Sequence, residues 1–240
     1  NLSDITADLL VKMNKNCTHA IYKGDVKVAQ LDLQKILQND SLGKLNAQID
    51  IDGQGMNLED LNAQVDLLVN NVTFNSYNYE NISVNGKIES QIFEGKIASE
   101  DPNIYFNIDG KANLNDTFPS AQVLGEINNL DLYALHLLPY PLKVQMKIDA
   151  DIKGYKVDDI LGYASIKDIV LENDSLKWKA DSIDFKAQIL DNQQRQLLLS
   201  SPIINASLTG KFNTTELPVV FTKFGDQYFP FSTFIGGTEV

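Results

Sequence analysis

Apolar and polar residues alternate one by one along most of this chain. In residues 104–112 every even position is apolar or glycine, whereas Asn107, Asp109 and Lys111 stand between them. Because successive side chains of a β-strand point to opposite faces, a period of two predicts a strand with one apolar and one polar face. The same period occurs in residues 45–51, 63–69, 82–88, 144–152, 183–189 and 204–210.

Turn-forming residues separate these stretches. They include Asp52-Gly53-Gln54-Gly55, Asp101-Pro102-Asn103, Lys153-Gly154 and Ser201-Pro202. Short turns between strands with a single apolar face are typical of antiparallel sheets, since buried parallel strands are apolar on both faces. The sequence therefore predicts an all-β protein, an elongated and mostly antiparallel sheet of about ten or more strands. A sheet of that size normally curls, closes or splits.

Helical periodicity is confined to a few places. The spacing i, i+3, i+4, i+7 is met by Leu217, Val220, Phe221 and Phe224. We predict an amphipathic helix there, with Thr215 as its N-cap residue, and short helical turns after Asp32 and Asp131. Residues 5–13 fit both a strand and a helix, and we predict a strand.

Parts of the sequence recur after about 100 residues. Pro102, Gly110 and Lys111 match Pro202, Gly210 and Lys211 at a separation of 100, and residues 50–88 contain seven matches at a separation of 101. Alternating strands also resemble one another without any repeat, and this alternative stays open. We predict residues 1–23 as the end of a preceding repeat, 24–121 as a first repeat, 122–214 as a second repeat, and 215–240 as the helix and the start of a following segment.

Composition narrows the possible functions. The 240 residues contain 20 Lys and Arg against 32 Asp and Glu, a net charge of −12, which argues against nucleic-acid binding because affinity for phosphates needs clustered cations. One cysteine and two histidines leave little for a zinc site, and no calcium loop, phosphate loop or nucleophile motif occurs. No apolar run is long enough to span a bilayer. We therefore predict a protein that is not an enzyme and binds no cofactor, metal or nucleic acid.

Two segments carry a family resemblance. Residues 97–111 read IASEDPNIYFNIDGK, and residues 200–213 read SSPIINASLTGKFN. This succession of strand, turn and strand, continued over most of residues 24–214, resembles the TamB family of translocation and assembly module proteins. That family belongs to the AsmA-like group, which is similar to the bridge-like lipid transfer proteins.

The resemblance implies a location and a function. It implies the periplasm of a Gram-negative cell and a parent protein anchored in the inner membrane. The repeated strands would form a U-shaped sheet, the β-taco, with an apolar trough and a few short helices. The trough would hold phospholipid acyl chains for transfer between the inner and outer membranes, and an outer-membrane TamA-like partner would share in autotransporter assembly. The family's anchor and C-terminal domain do not occur in these residues, so we expect an internal part of a longer protein.

A lipid trough makes simple physical demands on the sequence. It needs apolar side chains at every second residue and no charge pointing inward, because an unpaired buried charge is costly. The alternating stretches meet both demands, and small residues such as Ala47, Ala112 and Ala150 would leave room for chains. The predicted trough residues are Ile49, Ile51, Val65, Val84, Ile88, Ile104, Phe106, Ile108, Met146, Ile148, Ile183, Phe185, Ile189, Ile204 and Leu208.

A second class of function stays open. The same alternation builds a closed β-sandwich or a β-solenoid, whose apolar faces pack on each other and bind no lipid. Such a protein could be a cell-surface or glycan-binding module, and Tyr77, Tyr79 and Trp178 would then be its aromatic platforms.

Three Asp-Ser pairs precede an aliphatic residue. They are Asp40-Ser41-Leu42, Asp174-Ser175-Leu176 and Asp181-Ser182-Ile183. The pattern resembles acceptor sites of bacterial periplasmic O-glycosylation. Asp-Ser is also common turn chemistry, and both interpretations stay open.

Overall fold

The computed structural model of the chain contains one antiparallel sheet of 13 strands, paired in the order of the sequence. It describes residues 3–16, 19–115, 118–154, 156–191, 193–217, 219 and 223. The strands are β1 Asp4–Met13, β2 Ala20–Asp32, β3 Leu42–Gln54, β4 Asn62–Phe74, β5 Tyr77–Glu89, β6 Ile92–Asp101, β7 Ile104–Asn113, β8 Ser120–Asp131, β9 Lys143–Lys153, β10 Leu161–Glu172, β11 Lys177–Ile189, β12 Arg195–Ser200 and β13 Asn205–Gly210. The helices are α1 Leu33–Leu37 and a 3₁₀ turn at Thr214–Glu216.

The sheet is open and uncurled, and β1 and β13 are its two edges. The prediction of an all-β, elongated and mostly antiparallel architecture is confirmed. The accessible surface is 16328 Å², about half as much again as the ~10,700 Å² expected of a compact monomer of this mass. A large surface is expected when, as in the described residues, the strands form a single layer.

The short helical elements differ in part from their predictions. Asp32 caps α1 as predicted, since its side chain accepts a hydrogen bond from Lys35 N. Asp131 likewise accepts from Ala134 N, but hydrogen-bonded turns follow it instead of a helix. The prediction of Thr215 as an N-cap is wrong, because Thr215 lies inside the 3₁₀ turn and Asn213 holds the N-cap position. Most of the helix predicted after it lies outside the described residues.

The strands β2 to β7 and β8 to β13 form two sets of six with matching connections. Gly55 N donates to Ala20 O, and Gly154 N, 99 residues further on, donates to Pro119 O. Both glycines have positive φ, +95° and +134°, which an L side chain rarely adopts. Such matches are typical of repeated units. The predicted boundary between residues 121 and 122 lies inside β8.

The polar face of the sheet carries cross-strand ion pairs. Glu94 lies 2.7 Å from Lys111 and 3.1 Å from Lys87, and the hydrogen bond from Lys111, followed by that from Lys87, lowers the pKa of Glu94. Lys147 and Asp168 form a similar pair at 2.7 Å. These pairs are exposed, so each one stabilises the fold little. Together they favour the observed pairing register over registers that are shifted along the strand.

Four aspartates face one another on the first four strands. Asp8 pairs with Asp25, Asp25 with Asp50, and Asp50 with Asp66, so like charges stand directly opposite across three neighbouring strand pairs. Like charges in this position destabilise a sheet. The run of aspartates stops at Asn85, whose Nδ2 donates to Asp66 at 2.7 Å, and the row continues through Lys96 to Asp109.

Removing one charge from this aspartate row should stabilise the protein. We expect Asp50→Asn to raise the melting temperature by about 2–4 °C, because two repulsive pairs disappear and the shape is kept. The gain should shrink at high salt, which screens exposed charges. The control is Asp109→Asn, since Asp109 lies in the same row but stands opposite Lys96 and Leu124. Thermal melts that show an equal gain for both variants would contradict the repulsion.

Candidate functional site: the apolar face

Strand pairing aligns apolar side chains into rows that run across the sheet. One row, here called the central row, crosses eleven strands without a charged residue. Its members are Ala7, Val26, Ile49, Leu67, Val84, Ile97, Ile108, Gly125, Ile148, Ile166 and Ile183. At a strand spacing of ~4.8 Å the row is about 48 Å long.

A second row lies two residues further along each strand and contains smaller side chains. It crosses all 13 strands. We call it the small-residue row, and its members are Leu9, Gly24, Ile51, Val65, Gly86, Gly95, Gly110, Val123, Ala150, Ala164, Phe185, Leu199 and Ala206. With the central row it forms the middle of what we call the apolar face.

The predicted trough residues lie on this face. Ile49, Val84, Ile108, Ile148 and Ile183 belong to the central row, and Ile51, Val65 and Phe185 to the small-residue row. Ile88 and Leu208 share the next row, whereas Phe106 and Met146 lie on the other side of the central row. By the strand alternation Ile104 and Ile189 lie nearer the strand ends of the same face, and Ile204 stands in the turn before β13. Their contact with lipid stays a prediction.

No second layer covers the apolar face in the described part of the chain. Every extensive contact between elements joins neighbouring strands or joins α1 to β3. Phe93, Phe185 and Leu9 consequently stay 41%, 37% and 42% exposed. An apolar surface of this extent normally marks a binding site, since soluble proteins bury such patches.

The space above the glycines of the small-residue row differs from one glycine to the next. A Cβ on Gly95 would lie 2.8 Å from the ring of Phe93, and one on Gly86 would lie 3.2 Å from it. The ring of Phe93 therefore rests on the two glycines. A Cβ on Gly110 would meet only Gln122 O at 3.9 Å, so the space above Gly110 is open.

Adding a methyl group at Gly95 and at Gly110 should change the stability of the protein differently. We expect Gly95→Ala to destabilise the protein by about 1–3 kcal/mol, because the Phe93 ring must move. Gly110→Ala should be neutral or slightly stabilising, since the methyl group meets no atom closely and the unfolded chain loses freedom. Urea denaturation measures both free energies of unfolding. In Phe93→Ala the Gly95→Ala penalty should become smaller, leaving the contact with Asn85 O at 3.0 Å, and an unchanged penalty would show that the Phe93 ring is not its cause.

A buried carboxylate stands at one end of the apolar face. Asp101, at the end of β6, is 1% exposed. Its oxygens accept hydrogen bonds from Tyr77 Oη at 2.6 Å, Asn103 N at 2.8 Å and Glu80 N at 2.9 Å. A buried charge needs such donors, and here they replace a cation. Sequence analysis had assigned Asp101 only to a turn.

An aromatic cluster ties this carboxylate to the loop after β8. The Tyr77 ring lies edge-on to Tyr79 at 4.8 Å and to His136 at 6.4 Å between centroids. His136 Nδ1 lies 3.0 Å from Asn75 O, and the same loop buries Leu135 completely. The loop between β8 and β9 is therefore fixed against the β4–β5 hairpin, at one strand-end rim of the apolar face.

The pKa of Tyr77 gives a test of this cluster. Burial, followed by the hydrogen bond to Asp101, raises the pKa of Tyr77 from 10.0 to about 12. Because the folded-state pKa is the higher one, the stabilisation is complete below pH 10 and is lost as the pH rises toward 12.

We expect the stability advantage of the wild type over Tyr77→Phe to fall by about 1–2 kcal/mol between pH 10 and 12. Denaturant melts at a series of pH values measure this difference. In a pH titration followed by tyrosinate absorbance, the variant should lack one tyrosine that ionises near pH 12 in the wild type. A pH-independent difference would contradict the hydrogen bond between Tyr77 and Asp101.

Arg195 is a cation on the apolar face that sequence analysis also missed. It pairs with Ile189 and Gly210 near the strand ends and is 7% exposed. Its guanidinium donates to the backbone carbonyls of Ile160, at 2.6 Å, and of Asp158. The charge therefore fixes the β9–β10 loop and does not enter the two central rows.

A depression of 580 Å³ lies on the opposite, polar face. Tyr163, Lys111 and Gln122 are among its lining residues, and each already pairs with a carboxylate, Asp149, Glu94 and Asp151 respectively. The depression is a furrow between long paired side chains, and it does not coincide with the apolar face. We therefore keep the apolar face as the candidate site.

In the described residues the middle of the apolar face consists of apolar side chains and glycines. Among the described residues no cluster of three or more His, Cys, Asp or Glu side chains is arranged for a metal ion. No helix in the same residues has the length and apolar character needed to cross a bilayer. The described residues thus define an open, single-layer antiparallel sheet with one apolar face that none of them covers.

Three comparisons with known proteins found no match. No family model, no curated protein and no solved structure matches this chain.

Proposed function

We propose that the apolar face binds the acyl chains of phospholipids. The observation that supports this is the pair of continuous rows, across eleven and 13 strands, that no other part of the described chain covers. A face with no polar groups in its middle suits a ligand recognised by apolar contact alone.

Apolar contact alone can supply the free energy needed to bind a phospholipid with micromolar affinity. Each methylene group moved from water onto an apolar surface contributes ~0.8 kcal/mol. Even partial burial of two chains would exceed the ~8 kcal/mol that corresponds to micromolar affinity. The small-residue row, open above Gly110, offers space for a chain lying between larger side chains.

The cellular setting follows from the resemblance to the TamB family. In this proposal the chain is part of a periplasmic TamB-like or AsmA-like protein of a Gram-negative cell, anchored in the inner membrane. Its sheet holds phospholipid on the way between the inner and outer membranes, and an outer-membrane TamA-like protein is its partner in autotransporter assembly. No catalytic step, cofactor, metal or nucleic acid belongs to the proposal.

The alternative, a closed sandwich or solenoid that binds glycans, has less support. The described strands form one open sheet, and no second sheet packs on the apolar face. Tyr77 and Tyr79 pack against each other in the Asp101 cluster, so they do not form an exposed platform. Trp178 is only half-exposed.

Native mass spectrometry of the purified chain tests the proposal. We expect phospholipid to co-purify with the wild type. Ile108→Asp, in the centre of the central row, should reduce lipid occupancy at least tenfold, because a charge beside an acyl chain costs several kcal/mol. The matched control is Asn107→Asp, which adds the same charge on the polar face one residue away.

Folding of the variants must be measured at the same time. Both should retain the β-sheet circular dichroism signal, since strand pairing uses backbone groups and a side chain on a face without a second layer can turn its charge toward water. Phe185→Asp is a second variant, placed on β11 in the small-residue row. Lipid-free wild type, or unfolding of Ile108→Asp and Phe185→Asp with Asn107→Asp intact, would overturn the proposal and indicate a packed apolar face.

A further inference from the structure

One tetrapeptide occurs twice in this chain. Asn-Asp-Ser-Leu stands at residues 39–42 and again at residues 173–176. The separation of 134 residues differs from the separation of about 100 that relates the repeated strands, so the repeat does not explain the second copy. Each copy contains one of the three Asp-Ser-aliphatic patterns.

The two copies share one side-chain hydrogen bond. Asn39 Oδ1 accepts a hydrogen bond from Ser41 N at 3.0 Å, and Asn173 Oδ1 accepts one from Ser175 N at 3.0 Å. Each turn leads directly into a strand, β3 or β11. Odd-numbered strands of this sheet run in the same direction, so both turns lie at the same strand-end rim.

The two serines of these turns are accessible. Ser41, Ser175 and the aspartates before them are exposed. Within the described part of the chain, neither serine hydroxyl makes a hydrogen bond. Ser182, in the third pattern, lies inside β11, is half-buried and donates its hydroxyl hydrogen to Asp184. The hydroxyls of Ser41 and Ser175 are therefore accessible and without a hydrogen bond in the described residues, whereas that of Ser182 is hydrogen-bonded.

We propose that Ser41 and Ser175 are O-glycosylation sites and that Ser182 is not. The serine Oγ attacks the anomeric carbon of a sugar whose leaving group is a diphosphate. A carbon–oxygen bond to serine forms, the bond between the anomeric carbon and the diphosphate breaks, and the hydroxyl proton passes to a base of the transferase. Asp40 and Asp174 are the side chains that the transferase recognises beside each serine.

The modification fits the proposed envelope location but needs no lipid binding. Glycans at these two turns project from one rim of the sheet, away from the apolar face. Both serines are exposed in the described part of the chain, so a sugar can be attached there without entering the sheet.

Peptide mass spectrometry of the protein isolated from the cells that make it tests the assignment. Trypsin releases residues 36–44, 168–177 and 180–186 as separate peptides, each with one of the three serines. We expect sugar mass on the first two peptides and none on the third. Unmodified first and second peptides, sugar on Ser182, or a phosphate mass in place of sugar would overturn the assignment.

Variants made in the same cells separate the serine from the neighbouring asparagine. Ser41→Ala should abolish the sugar on residues 36–44 and leave that on residues 168–177 unchanged. Asp40→Ala should also abolish it, whereas a sugar on Asn39 would survive, since Asn-x-Ser remains intact. Sugar that survives Asp40→Ala would overturn the proposal in favour of asparagine. Because lipid occupancy is measured on a separately purified chain, failure of either proposal leaves the other standing.

Discussion

Backbone hydrogen bonds between neighbouring strands are the interaction on which this molecule depends. In a sandwich or barrel, contacts between layers stabilise the fold as well, but no such layer covers the sheet within the described residues. Each strand is held by the strands on either side and by side chains along its own row. The apolar face can stay uncovered because rows of Ile, Val and Leu shield one another partly from water.

Polar groups are used where the strands end. Asp101 holds the tip of β5 and the turn before β7, and Arg195 holds the loop between β9 and β10. Both are buried and both satisfy or use backbone groups that no strand partner reaches. The middle of the apolar face is thereby kept free of charge, which is the property that the proposed lipid binding requires.

Much of this architecture follows from the sequence because alternation is a local signal. The apolar positions of residues 45–51 and 104–112 specify both the strand and its apolar side, and short turns specify antiparallel pairing. Asp101 and Arg195 could not be assigned in this way, since Tyr77 and Glu80, which bind Asp101, and the loop carbonyls that bind Arg195 lie 21 to 38 residues away in the sequence. The irregularity at Asp168, whose φ of 52° accompanies the register shift between β9 and β10, has no local signature either. For the site, the sequence could indicate which residues share a face, but not whether another layer covers them.

Spatial order and chain order are the same throughout this sheet, and this has a consequence for its assembly. All strand pairs are neighbours in sequence, so each pairing closes only a short loop and costs little chain entropy. The contact order is therefore low for a protein made almost wholly of strands, and folding can begin at any hairpin and spread outward. The same feature makes the molecule weak to force applied at its two ends. Such a force separates the edge strands from the sheet by breaking their backbone hydrogen bonds one after another.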